Sequence, residues 1–530
     1  MKRYDLIVIG AGPAGLSAAV EGAKRGLEVV VFDENDKPGG QLFKQIHKFF
    51  GSKEHKAKIR GYNIGKELLS NAEQLGVKII LNAEVVGLYP FKEVAINIDQ
   101  KVVYYRADTI VASTGASEKM ISFPGWTLPG VIGAGAAQTM MNIHGVKPGK
   151  KILMLGSGNV GLVVTYQLLQ AGIEVAAVVD ASPQIGGYGV HAAKVARTEV
   201  PFYTSHTIVR AEGEASVTGA VIAEVDQNWN IIEGTEQSFE VDTICLSVGL
   251  SPMSKLFSMA GCDLEEIPAK GGMVPLCDEY GETSVSGIYA AGDVSGIEEA
   301  SSAMIEGRIA GKAAAYKLGY IEEKEFLEEI AEQKKSLAGL RQGMFAPENK
   351  GKNFKKTEEG YAISDNLLKK GYIDSREIEK YPGIKAKEQI HPVIECTQNI
   401  PCNPCQDSCP KGCIIVENIT SLPEYIESEA CSGCGLCVAS CPGQAVFLIN
   451  DDPEAGCSYI TIPYEFSPLP ASGDLGIALD RSGEELCEAE IFDIKSIKSF
   501  DNTHLLTMKV PIEYSKEARF FKAKRSEIYG

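Results

Sequence analysis

An α/β chain of several domains is the fold class the sequence predicts, and three observations predict it. A glycine-rich turn between an apolar strand and a helix occurs twice, at 10–15 and at 156–161, each time followed by a second strand that ends in Asp. Two runs of closely spaced cysteines, each closed by a Cys-Pro step, then occupy 396–442. After about residue 453, short β-rich runs alternate with Pro, Gly and Asp turns. At 530 residues the chain also exceeds what one core usually supports, so three or more domains are expected.

Residues 4–9, YDLIVI, form an apolar run, and Gly10, Gly12 and Gly15 follow in G-A-G-P-A-G, with Pro13 and Ala14 ahead of the last. A helix is expected over 14–25 and a strand over 28–32, EVVVF, leading to Asp33. Each residue type has a physical reason. Gly10 permits the tight turn, Gly12 lets the backbone approach a pyrophosphate, Gly15 lets helix pack on strand, and free N–H groups at the helix start face the phosphates. Asp33 is placed for a ribose hydroxyl. The unit recurs. KKILML at 150–155 runs into Gly156, Gly158 and Gly161 in G-S-G-N-V-G, with Asn159 and Val160 opening a helix to about 171, and the strand EVAAVV ends at Asp180. A carboxylate there favours the free 2′-hydroxyl of NAD over the 2′-phosphate of NADP. Two Rossmann-like folds imply two nucleotides, or one nucleotide and a vestige.

These motifs, with PGGQL at 38–42, STGA at 113–116, SVGLSP at 247–252 and GIYAAGDV at 287–294, come in a specific order. Over about residues 4–320 the chain resembles the FAD/NAD(P)-dependent flavoproteins with two dinucleotide-binding domains. That is the pyridine nucleotide-disulfide oxidoreductase superfamily, which includes thioredoxin reductase and glutathione reductase. The resemblance implies FAD in the first fold, with Gly40, Gln41, Gly115 and Gly292 around it and Asp293 on the ribityl chain. It also implies that the helix from about 298 points its positive end at the flavin. The second fold, 117–248, would be inserted in an FAD-binding domain made of 1–116 and 249–330, and would take NAD(H), or ATP or ADP in its place. One departure matters. Disulfide reductases keep a pair of cysteines against the flavin, and residues 1–244 contain none. Cys245, Cys262 and Cys277 read as isolated packing thiols. The sequence argues against a disulfide reductase, so electrons leaving the flavin need another acceptor.

Residues 331–394 are charged and lack a strong apolar period, as expected of a wrapping connector. They lead to Cys396-x5-Cys402-x2-Cys405-x3-Cys409-Pro410, and then to Cys431-x2-Cys434-x2-Cys437-x3-Cys441-Pro442. The second run has the bacterial ferredoxin spacing, whose first three thiolates hold one cubane while the fourth ligates the other. By that crossing rule Cys396, Cys402, Cys405 and Cys441 hold a first [4Fe-4S] cluster, and Cys409, Cys431, Cys434 and Cys437 a second. The host is a bacterial ferredoxin-like α+β domain at 395–452. The five-residue gap after Cys396 departs from the pattern and leaves the first cluster open to recruiting Cys413, or to being absent. Zinc also suits C-x2-C pairs, but it needs four thiolates rather than eight with two trailing prolines. Unless it is recruited to that cluster, Cys413, like Cys457 and Cys487, reads as a spectator. Residues 453–530, with YITIPYEF, EAEIFDI and HLLTMKVP, read as a small C-terminal β module without assigned chemistry.

Lys and Arg number 52 against 70 Asp and Glu, a formal charge of −18. That balance argues against nucleic acid or an anionic membrane surface as partner. The opening MKRYDLIVIGAG sets basic residues before an apolar run, but the run breaks into glycines too early for a signal peptide. No segment approaches the roughly 18 apolar residues of a membrane span. A cytoplasmic protein without membrane insertion is expected. The histidines at 47, 55, 144, 191, 206, 391 and 504 are scattered, and no serine elbow or paired-carboxylate pattern occurs. Catalytic residues stay unassigned, which hydride transfer to a flavin tolerates because it needs orientation more than acid or base.

The joint arrangement resembles the α subunits of bacterial amine and amino-acid dehydrogenases and oxidases, namely those of dye-linked L-proline dehydrogenase, opine oxidase, hydrogen cyanide synthase and heterotetrameric sarcosine oxidase. The resemblance implies a flavoprotein iron–sulfur subunit that relays electrons between FAD, NAD(H) and two clusters. The amine would be oxidised on a separate flavoprotein β subunit, and a ferredoxin or another electron carrier would be a further partner. Two readings compete. One is a free-standing NAD(P)H:ferredoxin-type oxidoreductase like the glutamate synthase small chain, in which the cluster domain comes first rather than last. The other is a non-enzymatic electron-transfer module. Exposed low-potential clusters would also suit an anaerobe.

Overall fold

YDLIVI extends into the strand Lys2–Ile9, which lies between Val29–Phe32 and Lys101–Ala112 and runs parallel to both. The computed structural model describes residues 2–385, 389–426 and 431–524. It divides into two units, Met1–Lys119 with Gly249–Lys350 and Met120–Val248 with Gly351–Gly530.

In the first unit, Lys78–Ile80 adds to the Val29–Phe32 edge and Ile288–Ala290 pairs with Lys101–Ala112, both in parallel. Glu84–Tyr89 and Glu93–Ile98 extend the sheet antiparallel. Leu6, Ile7 and Val8 are fully buried, as a parallel strand covered on both faces requires. One cover is the helix Pro13–Lys24, which packs on Ala300–Lys317. Gly307 and Gly311 permit that approach, since a Cβ there would stand 2.0 and 2.4 Å from the backbone oxygens of Ala14 and Ala18. The register sets Ile9 beside Phe32 and Ala112, so Gly10, Asp33 and Ser113 leave the sheet at one level. In open α/β sheets that carboxyl end is where ligands sit.

The second unit begins with a parallel sheet in the order Phe202–Thr204, Glu174–Asp180, Lys151–Leu155, Thr243–Leu246, Val131–Gly133. The helices Asn159–Gln170 and Gly189–Ala196 belong to it, and Met154, Val164 and Val195 share one core cluster. A second sheet has seven antiparallel strands in the order His391–Ile394, Val446–Asp452, Cys457–Tyr464, His504–Pro511, Glu485–Lys495, Leu475–Leu479, Phe520–Ala523. Both cysteine runs lie between its first two strands. The segments read from spacing as ferredoxin-like and as a β module are therefore parts of one sheet, and the 452/453 boundary falls in the hairpin between Val446–Asp452 and Cys457–Tyr464. Phe447 shares a core with Ile460, Leu506 and Phe521. Residues 331–394 hold the rest of the helix Glu323–Leu340 and the short helices Asp365–Lys370 and Ser375–Ile378. Among the described residues no helix is long and apolar enough to cross a membrane.

Candidate functional site

The two glycine turns are built alike. Gly10 has φ of +96° and Gly156 of +112°, and a Cβ on either would lie 2.5 or 2.1 Å from a backbone oxygen, of Ser113 or Ser247. A Cβ on Gly15 or Gly161 would meet the carbonyl oxygen of Gly10 or Gly156 at 1.8 or 2.1 Å. Gly12 and Gly158 differ from these four, because nothing lies within 4 Å of where their Cβ would be. Each precedes the first turn of its helix, Pro13–Lys24 or Asn159–Gln170, so the space in front of the free N–H groups is open. Asp33 Oδ2 accepts the Ala11 N–H at 2.6 Å. Asp180 Oδ2 accepts the Ser157 N–H at 2.7 Å and its hydroxyl at 2.6 Å. In both folds the loop beyond the second strand returns over the turn. Gly39 N–H donates to the Ala11 carbonyl at 2.8 Å, and Gly187 N–H to the Ser157 carbonyl at 2.9 Å.

Around the first cradle, a Cβ on Gly40 would stand 2.8 Å from Gly12 Cα, and one on Gly292 2.9 Å from the Ala14 Cβ. Pro13, Ala14, Gly40 and Gly292 therefore close on the same turn, whereas the Gln41 side chain is exposed. Gly115 sits where Ala116–Glu118 pairs with Leu250–Pro252, its carbonyl accepting the Met253 N–H at 3.0 Å. Asp293 Oδ1 accepts the Glu298 N–H at 3.3 Å. Burial, reinforced by the carboxylates of Glu306, Glu299 and Glu298, pushes the Asp293 carboxyl up to about 7. At the second cradle Asn159 Oδ1 accepts the Tyr188 N–H at 2.8 Å, and Val160 is exposed.

Cys409, Cys431, Cys434 and Cys437 line one small cavity, with Pro392, Ile414 and Leu448 among its walls. Cys413, the alternative ligand of the first cluster, stands at this cavity too. Cys396, Cys405 and Cys441 lie close enough to influence one another's charge. Burial, helped by Cys441, pushes the Cys396 thiol up to about 12, and burial likewise raises Cys405, Cys437 and Cys441. Cys402 sits on the adjoining loop, its N–H on the Ile419 carbonyl at 2.8 Å. Backbone amides already point at sulfur. Cys413 N–H reaches Cys409 Sγ at 3.3 Å, Ala445 N–H reaches Cys441 Sγ at 3.4 Å, and Gly433 N–H reaches Cys431 Sγ at 3.4 Å. Each Cys-Pro corner thus presents the amide four residues on to its thiol. Among the described residues no three His, Cys, Asp or Glu side chains converge on a point suited to a single ion. Gathered, partly buried thiols approached by N–H donors fit iron–sulfur clusters, whose metal takes over the charge that burial penalises.

The sequence reading missed the residues that brace this region. Glu395, just before Cys396, is buried between Arg481 at 2.7 Å and Arg519 at 2.5 Å. Burial would raise its carboxyl, but the two guanidiniums outweigh it and hold the group at about 2. These residues are 86 and 124 positions apart in the chain, so no local pattern announces them. His55, His206 and His391 contact the backbone carbonyls of Ser336, Thr204 and Gln389, which is a structural use.

Comparison with known proteins adds two family matches. The family described as pyridine nucleotide-disulphide oxidoreductase matches residues 4–307, and the 4Fe-4S binding domain matches 424–447. An opine oxidase subunit of Rhizobium meliloti is 31% identical over 336 residues, covering 60% of this chain and 64% of its own. The HcnB subunit of hydrogen cyanide synthase from Pseudomonas aeruginosa is 27% identical, covering 57% of this chain and 69% of its own. The alpha subunit of sarcosine oxidase from Corynebacterium sp. (strain P-1) is 26% identical, covering 60% and 33%. The chain thus spans less than two thirds of the length of that opine oxidase subunit. Among solved structures, T. acidophilum thioredoxin reductase matches with a TM-score of 0.51 at 22% identity, covering 61% of this chain and 100% of that one.

Proposed function

Because the chain belongs to the pyridine nucleotide-disulphide oxidoreductase family and joins a 4Fe-4S binding domain to it, we propose that it is the electron-relaying α subunit of a complex that oxidises an amine or amino acid such as proline, sarcosine or an opine. FAD occupies the first cradle and NAD(H), or ATP or ADP, the second. Cys396, Cys402, Cys405 and Cys441 hold one [4Fe-4S] cluster, and Cys409, Cys431, Cys434 and Cys437 the other. One observation carries this reading. A complete first cradle occurs in a chain with no cysteine before Cys245, while partly buried thiols gather farther on, Cys409, Cys431, Cys434 and Cys437 around one cavity and Cys396, Cys405 and Cys441 near one another. A flavin there has no disulfide to reduce, and the thiol sets supply the alternative acceptor. The relatives point the same way, since each is named as one subunit of a larger enzyme.

The chemistry supplied by the bound groups is the division of electron pairs into single electrons. The chain's own residues bind and orient. Gly12 and Gly158 leave room for phosphate before two helix starts, Gly10 and Gly156 set the turns, and Asp33 and Asp180 brace them. Asp293, its carboxyl raised by burial, is placed to hydrogen-bond a hydroxyl-bearing chain. The groups that act on the amine belong to a flavoprotein β subunit, and a ferredoxin or similar carrier takes the electrons away.

Anaerobic titration of the purified chain with NADH, proline and sarcosine, alone and with its co-purified flavoprotein partner, tests this. The expected result is bleaching of flavin and iron–sulfur absorbance by an amine only when the partner is present. Sustained NADH turnover onto ferredoxin by the isolated chain, with no amine response in the complex, would overturn it in favour of a free-standing oxidoreductase.

A further inference from the structure

Arg197 closes the helix Gly189–Ala196 of the second nucleotide fold and is 5% exposed. Its Nη2 donates to the backbone oxygen of Gln444 at 3.0 Å and lies 3.5 Å from Gln444 Oε1, and its guanidinium stands 5.4 Å from the centre of the Phe447 ring. Nε has no partner, and among the described residues no carboxylate comes within ion-pair distance of Arg197. A buried guanidinium without a direct ion pair is costly; burial disfavours its charge, while Tyr166, Glu395 and Cys441 lie near enough to favour it.

Of these groups, the contacts of Arg197 point to Cys441, on which the buried Lys194 of the same helix also acts. Gln444 lies three residues after Cys441, is buried, and adopts the left-handed region at φ +52°, which a non-glycine residue keeps only under restraint. The restraints come from the nucleotide fold. The Tyr166 hydroxyl donates to Gln444 Oε1 at 2.7 Å, and Val190 leaves no room for a Cβ on Gly443, which would come within 2.7 Å of it. Gln444 N–H in turn bonds the Cys441 carbonyl at 3.2 Å, and Ala445 N–H reaches Cys441 Sγ. Tyr166 stands on Asn159–Gln170, whose start forms the second cradle, and Arg197 closes the next helix of that fold. Two successive helices of the second nucleotide fold therefore each send a side chain to the loop that carries Cys441.

We propose that Arg197 is the counter-charge and positioning residue of the cluster held by Cys396, Cys402, Cys405 and Cys441, so that the second nucleotide fold sets the potential of one of the two clusters. This rests on the two-cluster reading above. A fixed cation beside a cluster favours its reduced, more negative form, and the N–H···S bonds it steadies act in the same direction. The inference also gives the second fold a use whether or not a nicotinamide reacts there.

The test is a potentiometric titration of the anaerobically purified full chain, followed by electron paramagnetic resonance, for wild type, Arg197→Gln, Arg197→Lys and Tyr166→Phe, with iron content measured on each. The expected result is a fall of about tenfold in the one-electron reduction equilibrium of one cluster in Arg197→Gln, about 59 mV. The other cluster should not move, Arg197→Lys should restore most of the shift, and Tyr166→Phe should shift the same cluster by less. Equal shifts of both clusters, no shift, or the same shift in the Gln and Lys variants would overturn it. Should Arg197→Gln lose half of its iron, the Lys variant decides: full iron at the wild-type potential supports the counter-charge, and equal loss refutes it. A wild type that holds only half of the expected iron would instead overturn the two-cluster reading itself.

Discussion

Replacing Gly158 with Ala should leave the second nucleotide fold intact and empty its cradle. Gly158 has φ −67° and ψ 171°, which Ala adopts without penalty, and no atom lies within 4 Å of the new Cβ. Loss of backbone freedom in the unfolded chain then predicts unchanged or slightly higher stability, by about 0.4–1 kcal/mol. The methyl group would stand where a pyrophosphate must approach the helix start, so nucleotide affinity should fall at least tenfold, or about 1.4 kcal/mol. Gly156→Ala is the control with the opposite signature. Its φ of +112° costs roughly 1–3 kcal/mol for a residue with a Cβ, and the 2.1 Å approach to Ser247 O adds about 1–3 kcal/mol of overpacking. Thermal melting of both variants without nucleotide, together with calorimetric titration using NADH and ADP, reads the two quantities separately. Wild-type affinity in Gly158→Ala would refute the reading of the open space as the phosphate site. A Gly158→Ala protein as unstable as Gly156→Ala would refute the steric reasoning behind it.

Three further outcomes follow from the same geometry. Glu395→Gln leaves Arg519, 3% exposed, without its carboxylate and Arg481, 7% exposed, with only Glu517 at 3.4 Å, and should lower stability by about 3–5 kcal/mol in a denaturant midpoint measurement. Cys437→Ala should lose about half of the bound iron while Cys413→Ala keeps all of it, since Cys413 shares the cavity but its amide already serves Cys409; iron and sulfide assays decide this. In flavin-free protein, the Asp293 carboxyl raised to about 7 stabilises the fold below the ordinary carboxylate range, and that contribution is lost as the pH rises through about 7. Melting temperature should therefore drop between pH 5 and pH 8, and Asp293→Asn should flatten the slope.

Much of the site was legible before any coordinates. The strand, glycine turn, helix and Asp at 2–33 and at 151–180 declare themselves because their constraints are local: Gly15 excludes a side chain because of Gly10, five residues away. The ferredoxin spacing at 431–442 is legible for the same reason, since ligands of one cluster crowd into one short loop. The shared sheet of the cysteine-rich segment and the C-terminal strands was not, because pairing of Val446–Asp452 with Cys457–Tyr464 depends on a common core around Phe447, which composition does not mark.

The sequence by itself determined which residues can meet phosphate and which can meet iron, because φ, Cβ sterics and thiol chemistry act over a few bonds. Only the tertiary structure decided what surrounds them. Arg197 is 247 positions from Gln444 and Arg519 is 124 from Glu395, and each lacks any meaning until folding buries it. Burial is the physical reason: a guanidinium in water needs no particular partner, whereas the same group enclosed beside Cys441 must be answered by charge, and that requirement exists only once the chain has folded.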